Sequence, residues 1–370
     1  MSSSPSGHDT PALRVELGER SYEIHLGAGA LSRAGRLIAQ AMAPSRAFII
    51  TNPLVDRLHG EALRRSLSAF PVETILVPSG ERQKSLRRAS LLYDRLLESG
   101  ADRCSAVIAF GGGVIGDLAG FVAATYMRGV AYVQAPTTLL AQVDAAVGGK
   151  VAVDHAQAKN LIGAFYQPSV VIADTDVLRT LPAREYRSGL AEVIKHAVIA
   201  DADLFRWLRE NAGAVAARDP GAIAHLVRRN CEIKAEVVRQ DEREGGLRAV
   251  LNFGHTVGHA LEMLGGYRAL RHGEAVAIGM VAAARIAVAL GRFAADGADE
   301  IETLIQRYRL PTRMPPFAAA QIALAMRADK KAAVGVPQFV LPTAIGAVSF
   351  GVEAPEATVA RVLGDLGAAL

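Results

Sequence analysis

The chain has 370 residues, 51% of them hydrophobic and 21% charged, which excludes a disordered or low-complexity protein and leaves room for two domains with buried cores. The formal net charge of +4 is modest and no basic run carries interleaved aromatics, which argues against nucleic acid as a partner and suits an anionic small substrate. Cys104 and Cys231 are the only cysteines, too few for a disulfide framework and compatible with a reducing cytoplasm.

Taken in order, residues 1–12 are polar, lack the apolar core of a signal peptide and are read as a frayed tail. No apolar run approaches the ~20 residues of a membrane span, so a cytoplasmic enzyme with no membrane partner is expected. Residues 13–26 alternate around Gly18-Glu19-Arg20 and predict paired strands. The period then changes. Leu31 to Met42 reads as helix, Ala47 to Thr51 as strand, Leu54 to Phe70 as helix and Glu73 to Val77 as strand. Strands alternating with helices predict βαβ units and a Rossmann-like, mainly parallel sheet.

The turn from Pro78 to Ser85 lies past a strand's carboxyl end. It reads first as a solvated loop with Ser85 capping a helix that runs to Glu98, and its place keeps a ligand role open. The next strand, Ala106 to Phe110, runs into Gly111-Gly112-Gly113-Val114-Ile115-Gly116-Asp117 and then a helix over Leu118 to Tyr126. Glycines 111, 113 and 116 satisfy G-x-G-x-x-G between strand and helix, where backbone amides can approach a pyrophosphate. The ribose-binding acid expected about 20 residues on is missing from Tyr132 to Thr138, so a dinucleotide here implies a non-standard arrangement. Asp144, Lys150 and Asn160 are polar groups in a Gly-rich, apolar stretch and read as site-lining, with a surface loop as the alternative. Val170 to Asp174 is the last strand of an α/β domain placed at 13–183.

Beyond Leu181-Pro182 the pattern is helical: 185–200, 203–211, 220–239, 253–264, 273–291, 297–308, 317–327 and 355–369, interrupted by a strand-like piece from Gln338 to Leu341. An all-α domain over 184–370 is expected, with the active site in the cleft between the two domains. Within it, Asn252-Phe253-Gly254-His255-Thr256-Val257-Gly258-His259 is followed by Arg271-His272-Gly273-Glu274. His255 and His259, at i and i+4, share a helix face. A metalloprotease motif is excluded because Thr256 stands where its Glu would be. Two of these imidazoles with Glu192, from Gly189-Leu190-Ala191-Glu192-Val193-Ile194-Lys195, make a familiar set for a divalent metal with an open position. Spacing does not choose which two histidines bind.

Together with Tyr126-Met127-Arg128-Gly129, Pro136-Thr137-Thr138-Leu139-Leu140, the segment Asp144 to Lys150 and Lys159-Asn160, these motifs resemble the 3-dehydroquinate synthase family of sugar phosphate cyclases, in the same order over about residues 13–350. The resemblance implies conversion of 3-deoxy-D-arabino-heptulosonate 7-phosphate into 3-dehydroquinate and phosphate, with NAD+ used catalytically, one divalent metal (Zn2+ or Co2+) and a homodimer. It implies Glu192, His255 and His272 as metal ligands, leaving His259 to relay protons or bind substrate. The implied substrate set is Arg128, Asp144, Lys150, Asn160, Lys195, Lys234, Arg248, Asn252 and His259, with one of Lys330 or Lys331. Arg128, Lys150, Asn160 and Lys195 suit a phosphate, and Arg248 a carboxylate gripped by a fork of donors. The implied cofactor contacts are Glu81, Lys84, Gly113, Val114, Ile115, Gly116, Asp117, Thr137, Thr138, Lys150, Lys159, Val177, Leu178, Arg179 and Thr180.

Four places depart from the family pattern: Asn52 where Asp is common, Val151 and Asp154 in a segment that tends to read Thr-Ala-Val-Asn-His, His196 where Tyr is frequent, and Val334 to Pro337. The nearest alternatives are cyclases forming 2-deoxy-scyllo-inosose or an epi-valiolone, which need no carboxylate receptor such as Arg248 and Asn252. A metal-dependent polyol dehydrogenase would accumulate NADH. A non-catalytic homologue would be expected to have lost a member of Glu192, His255 and His272.

Overall fold

The computed structural model describes residues 12–156, 158–328 and 336–369. They fall into two compact units, one ending at Thr180 and one beginning at Leu181.

The first unit is built on a seven-stranded sheet. Its strands are β1 (Leu13–Val15), β2 (Tyr22–Gly27), β3 (Ala47–Thr51), β4 (Val72–Leu76), β5 (Ala106–Gly111), β6 (Ala131–Pro136) and β9 (Val170–Asp174); β7 (Lys150–His155) and β8 (Ala158–Phe165) form a separate antiparallel hairpin. The sheet order is β1-β2-β9-β6-β5-β3-β4, parallel except where β1 meets β2. β3, β5 and β9 are buried at every residue, as apolar runs covered on both faces must be. Helix Gly113–Thr125 packs Leu118, Ala119 and Val122 against Phe48, Val107 and Ala109 of the sheet.

From β3 the chain goes to β4 on one side, then returns to β5 on the other and continues to β6. The loops leaving β3 and β5 therefore diverge, and a crevice opens at their carboxyl ends, where sheets of this kind take ligands. The Gly-rich turn leaves β5 there.

Three local features differ from the sequence reading. The helix predicted over 54–70 is Pro53–Val55, a π turn at Asp56–Gly60 and Glu61–Ser66, started by Asn52, whose Oδ1 accepts from the amides of Leu54 and Val55 at 3.1 and 3.0 Å. The helix after the Gly-rich turn begins at Gly113 instead of Leu118, because glycine-rich sequence hides its periodicity. The β7–β8 hairpin falls in the Gly-rich, otherwise apolar stretch whose polar groups read as site-lining, with no strand predicted there. β8 keeps Leu161 and Phe165 exposed, so no inward and outward alternation marked it as a strand.

The second unit is helical around His272–Ala289 and, among the described residues, carries one antiparallel hairpin, Phe339–Ala344 with Ala347–Val352, of which the sequence predicts only the first strand. His272–Ala289 is long and apolar enough to cross a membrane by length and composition, but 72% of it is buried within the protein. A helix apolar on all sides is a core helix, and its alanines and glycines let neighbours approach closely. A methyl group added at Gly279 would lie 1.9 Å from the carbonyl oxygen of Gly254, just ahead of His255. Gly254 itself has φ +80°, a conformation suited to glycine.

Gly279→Ala should therefore lower the urea midpoint by the equivalent of ~2 kcal/mol or more. Gly213→Ala, in a helix where an added methyl meets nothing within 4 Å, should stay within ~0.5 kcal/mol of the parent. Equal effects would show that the contact at Gly254 is not a packing limit.

Candidate functional site

In the helical unit three helices bring side chains together. Helix Ala183–Ala200 is buried along most of its length and carries Glu192, Lys195 and His196 at 0%, 1% and 0% exposure. Helix His255–Leu264 starts at His255, and helix His272–Ala289 starts at His272. The ligand atoms of Glu192, His255 and His272 all lie within 4.8 Å of one another. His255 Nε2 is 3.8 Å and His272 Nε2 3.4 Å from Glu192 Oε1.

The opposite ring nitrogens are already engaged. His255 Nδ1 is 3.1 Å from the carbonyl oxygen of Phe253, and His272 Nδ1 is 3.1 Å from Glu262 Oε2. Both acceptors hold the proton on Nδ1 and leave Nε2 to face Glu192, the orientation of a metal-bound imidazole. Lys195 pairs with Glu192 Oε2, while Oε1, fully enclosed, faces the Nε2 atoms of both imidazoles. A buried carboxylate oxygen facing two imidazole nitrogens fits one divalent cation.

The electrostatics agree. Burial alone would raise the Glu192 pKa, but Lys195 and the two imidazoles hold it well below the usual carboxylate range. Burial, then Lys195, pushes His255 well below the usual imidazole value, so it keeps a lone pair at neutral pH. Desolvation would lower His272 as well, but Glu192 and Glu262 outweigh it and raise it to about 10 in the cation-free protein. His272 would have to give up that proton to hold a cation.

The start of helix His272–Ala289 is tightly held. Arg184 grips Glu274 with Nε and Nη2 at 2.7 Å each, and Glu274 accepts from the Arg271 amide at 2.8 Å. The Gly273 amide donates to Ser188 Oγ at 3.0 Å, and a methyl at Gly273 would lie 1.9 Å from the Ser188 carbonyl, one turn before Glu192. The glycine after His272 is thus required by close packing. His259 stands edge-on to His255, with ring centroids 5.2 Å apart, and outside the ligand trio.

Of the other predicted residues in this unit, Lys234 and Arg248 are buried at 5% and 2% exposure. Asp241 holds the turn leading to Arg248 by accepting from the amides of Gly245, Gly246 and Arg248. Asn252 donates to Glu244 Oε1 at 3.4 Å. Glu244 and Glu262 were missed by sequence reasoning. Glu244 lies in the charged run 241–244, which resembles any solvated loop, although its φ of +60° is unusual for a non-glycine residue. Glu262 lies one turn beyond His259, at the i+7 position from His255, and that spacing was the available signal. Lys330 and Lys331 lie outside the described residues, as do Val334 and Gly335.

In the sheet unit, helix Gly113–Thr125 starts directly past β5 and points its first amides out of the turn. A methyl at Gly112 would meet Thr138 Cγ2 at 3.0 Å, and the Thr137 amide donates to the Gly111 carbonyl at 2.9 Å, so Thr137 and Thr138 flank the turn. Ile115 packs in the core and offers only its backbone, while Gly113, Val114 and Asp117 are partly open. Lys84 is buried and donates to Asp117 and to Asn160 Oδ1. Burial alone would lower its pKa, but Asp117, Glu81 and Asp154 raise it, so the ammonium stays charged. Lys159 pairs with Glu81 at 3.0 Å, and Asp154 accepts from the Asn160 amide at 3.0 Å. The departure at Asp154 thus lies inside this cluster.

The remaining predicted residues of this unit lie on further turns and strand ends. Arg128 is exposed in a left-handed turn with φ +68°, Asp144 lies in the π turn Ala141–Ala145, and Lys150 is exposed at the start of β7. In Thr175–Thr180, Val177 and Leu178 turn into the core and Arg179 pairs with Asp176. Thr180 Oγ1 is 2.8 Å from His59 Nε2.

Comparison with known proteins supplies the family. Residues 74–188 match the model described as 3-dehydroquinate synthase N-terminal, and residues 189–332 match 3-dehydroquinate synthase C-terminal. The 3-dehydroquinate synthase of Pelotomaculum thermopropionicum is 51% identical over 337 residues, covering 90% of this chain and 91% of that protein. Among solved structures, the 2-epi-5-epi-valiolone synthase of Streptomyces hygroscopicus subsp. jinggangensis 5008, with NAD+ and Zn2+ bound, aligns with a TM-score of 0.87 at 29% identity, over 95% of this chain and 98% of that one. A 2-deoxy-scyllo-inosose synthase complexed with carbaglucose-6-phosphate, NAD+ and Co2+ shares the fold, with a TM-score of 0.88 at 24% identity over 96% and 99% of the two chains. By both family models and by half-identity along nearly its whole length, this chain belongs to the 3-dehydroquinate synthase family.

Proposed function

We propose that the protein converts 3-deoxy-D-arabino-heptulosonate 7-phosphate into 3-dehydroquinate and phosphate, as a carbon-oxygen lyase that ends each turnover with no net redox change. The observation that carries this reading is the 51% identity to a 3-dehydroquinate synthase over 90% of the chain. The grouping of Glu192, His255 and His272 supports it. The same reading expects an anionic sugar phosphate substrate, a homodimer and a cytoplasmic location.

Glu192, His255 and His272 would hold the divalent cation, Zn2+ or Co2+, which when bound supplies Lewis acidity to the substrate hydroxyl that is oxidised. Gly113, Val114, Ile115, Gly116 and Asp117, with Thr137, Thr138, Glu81, Lys84, Lys150, Lys159 and the 177–180 turn, would hold NAD+, which supplies a reversible hydride acceptor. The remaining chemistry falls to side chains of this chain. Arg128, Lys150, Asn160 and Lys195 would bind the phosphate and stabilise charge as it leaves. Arg248 would take the substrate carboxylate through paired N–H donors, with Asn252 beside it. Asp144 and Lys234 complete the substrate set. His259, next to the ligand trio but outside it, would accept and return a proton at its imidazole.

With catalytic NAD+ and zinc or cobalt, the purified protein should release phosphate and form dehydroquinate in equal amounts while no NADH accumulates at 340 nm. Removal of the cation by chelation should abolish turnover, and either cation should restore it. Turnover of glucose 6-phosphate or sedoheptulose 7-phosphate in its place would move the protein to a neighbouring cyclase activity, and steady NADH formation from a polyol would make it a dehydrogenase.

Lys84→Ala should weaken NAD+ binding about tenfold, or ~1.4 kcal/mol, by leaving Asp117 without its ammonium partner. An unchanged dissociation constant by titration calorimetry would remove Lys84 from the nucleotide set.

A further inference from the structure

We infer that Glu262 is a positioning residue for the metal centre, holding His272 so that its Nε2 is aimed at the cation. The inference rests on the metal reading proposed above. His255, His259 and Glu262 stand at i, i+4 and i+7 of one helix, so they share a face. Glu262 is 9% exposed, and its Oε2 is 3.1 Å from His272 Nδ1. An ionised carboxylate can only accept a hydrogen bond, so this contact fixes the proton on Nδ1. The lone pair of Nε2, once its own proton is displaced, then points to the side where Glu192 Oε1 lies, 3.4 Å away.

The two histidines of the trio are oriented by different means. His255 Nδ1 meets the main-chain oxygen of Phe253, which no side-chain substitution removes. His272 Nδ1 meets a side-chain carboxylate. Orientation of His272 is therefore open to a single substitution.

Charge points the same way. A dication in this enclosed place, with Lys195 beside Glu192, leaves a total of +3 to be balanced. Glu192 and Glu262 each offset one of those charges, so loss of Glu262 leaves the centre one unit more positive. A carboxylate hydrogen-bonded to a ligating imidazole also raises that ligand's basicity. The competing account is that Glu262 only ends its helix, where its backbone carbonyl accepts from the Tyr267 amide at 2.8 Å. That bond survives any side-chain change, so side-chain variants separate the two accounts.

The test uses the full chain, stripped of metal and titrated with zinc against a chromophoric chelator, with the visible spectrum of added cobalt as a second readout and circular dichroism as a fold control. Glu262→Ala should bind zinc about 10- to 100-fold more weakly than the parent and alter the cobalt spectrum. Glu262→Gln, whose amide oxygen still accepts from Nδ1, should lose less affinity and retain the parent cobalt spectrum. Zinc affinity equal to the parent's in folded Glu262→Ala would overturn the inference. If Glu262→Ala does not fold, Glu262→Leu, which fills the same space without an acceptor for Nδ1, is read in its place by the same criterion. A parent protein that binds neither zinc nor cobalt would overturn the metal reading itself, and this inference with it.

Discussion

A carboxylate with no exposed surface is the constraint around which the helical unit is arranged. Glu192 lies on a helix whose neighbouring positions are nearly all buried, and an ionised group there is tolerated only with compensating positive charge. Lys195 on the same helix answers one of its oxygens, and the imidazoles of His255 and His272 face the other. The packing that delivers those two rings is tight to the limit of van der Waals contact. Gly273 and Gly279 put helix His272–Ala289 directly against the backbones of Ser188 and Gly254, so neither ring can shift without moving a core helix.

The sheet unit solves a different problem with a comparable device. Its Gly-rich turn presents backbone, where glycines allow close approach and a helix N-terminus supplies partial positive charge. Beside it Lys84 is buried among Asp117, Asn160 and the carboxylates of Glu81 and Asp154, a cluster assembled from the turn after β4, the start of helix Gly113–Thr125 and the β7–β8 hairpin. Asn160 holds a left-handed backbone with φ +57° while its amide donates to Asp154. Such backbone strain in a polar cluster is characteristic of places that bind ligands. The family's usual Asn at position 154 is replaced by a residue able to carry charge, yet the hydrogen bond to the Asn160 amide uses only an acceptor oxygen that both residues possess.

These arrangements bear on the choice among related activities. Sugar phosphate cyclases share the fold, as the two synthases with TM-scores of 0.87 and 0.88 demonstrate, so fold alone does not select a substrate. The half-identity to a 3-dehydroquinate synthase places the chain within that one family. Arg248, almost fully buried and held by the Asp241 turn and the Glu242 carbonyl, is the kind of preorganised guanidinium that a carboxylate-bearing substrate calls for.

The sequence by itself determined the alternation of strands and helices in the first unit, most helix bounds in the second, the Gly-rich turn between β5 and its helix, and the face shared by His255 and His259. These are legible because period, glycine placement and i, i+4 spacing are local properties of the chain. The roles carried over by resemblance to known cyclases came from motif identity, not from spacing. Tertiary structure decided that His272 joins His255 at Glu192 while His259 stands beside them, because that convergence depends on three helices meeting at distances no local pattern encodes. It decided likewise that Glu262 and Glu244 touch His272 and Asn252, and that Lys84 is buried instead of solvated. The β7–β8 hairpin escaped sequence reading for the same reason. Its outer strand buries no regular face, and its existence depends on what packs beneath it.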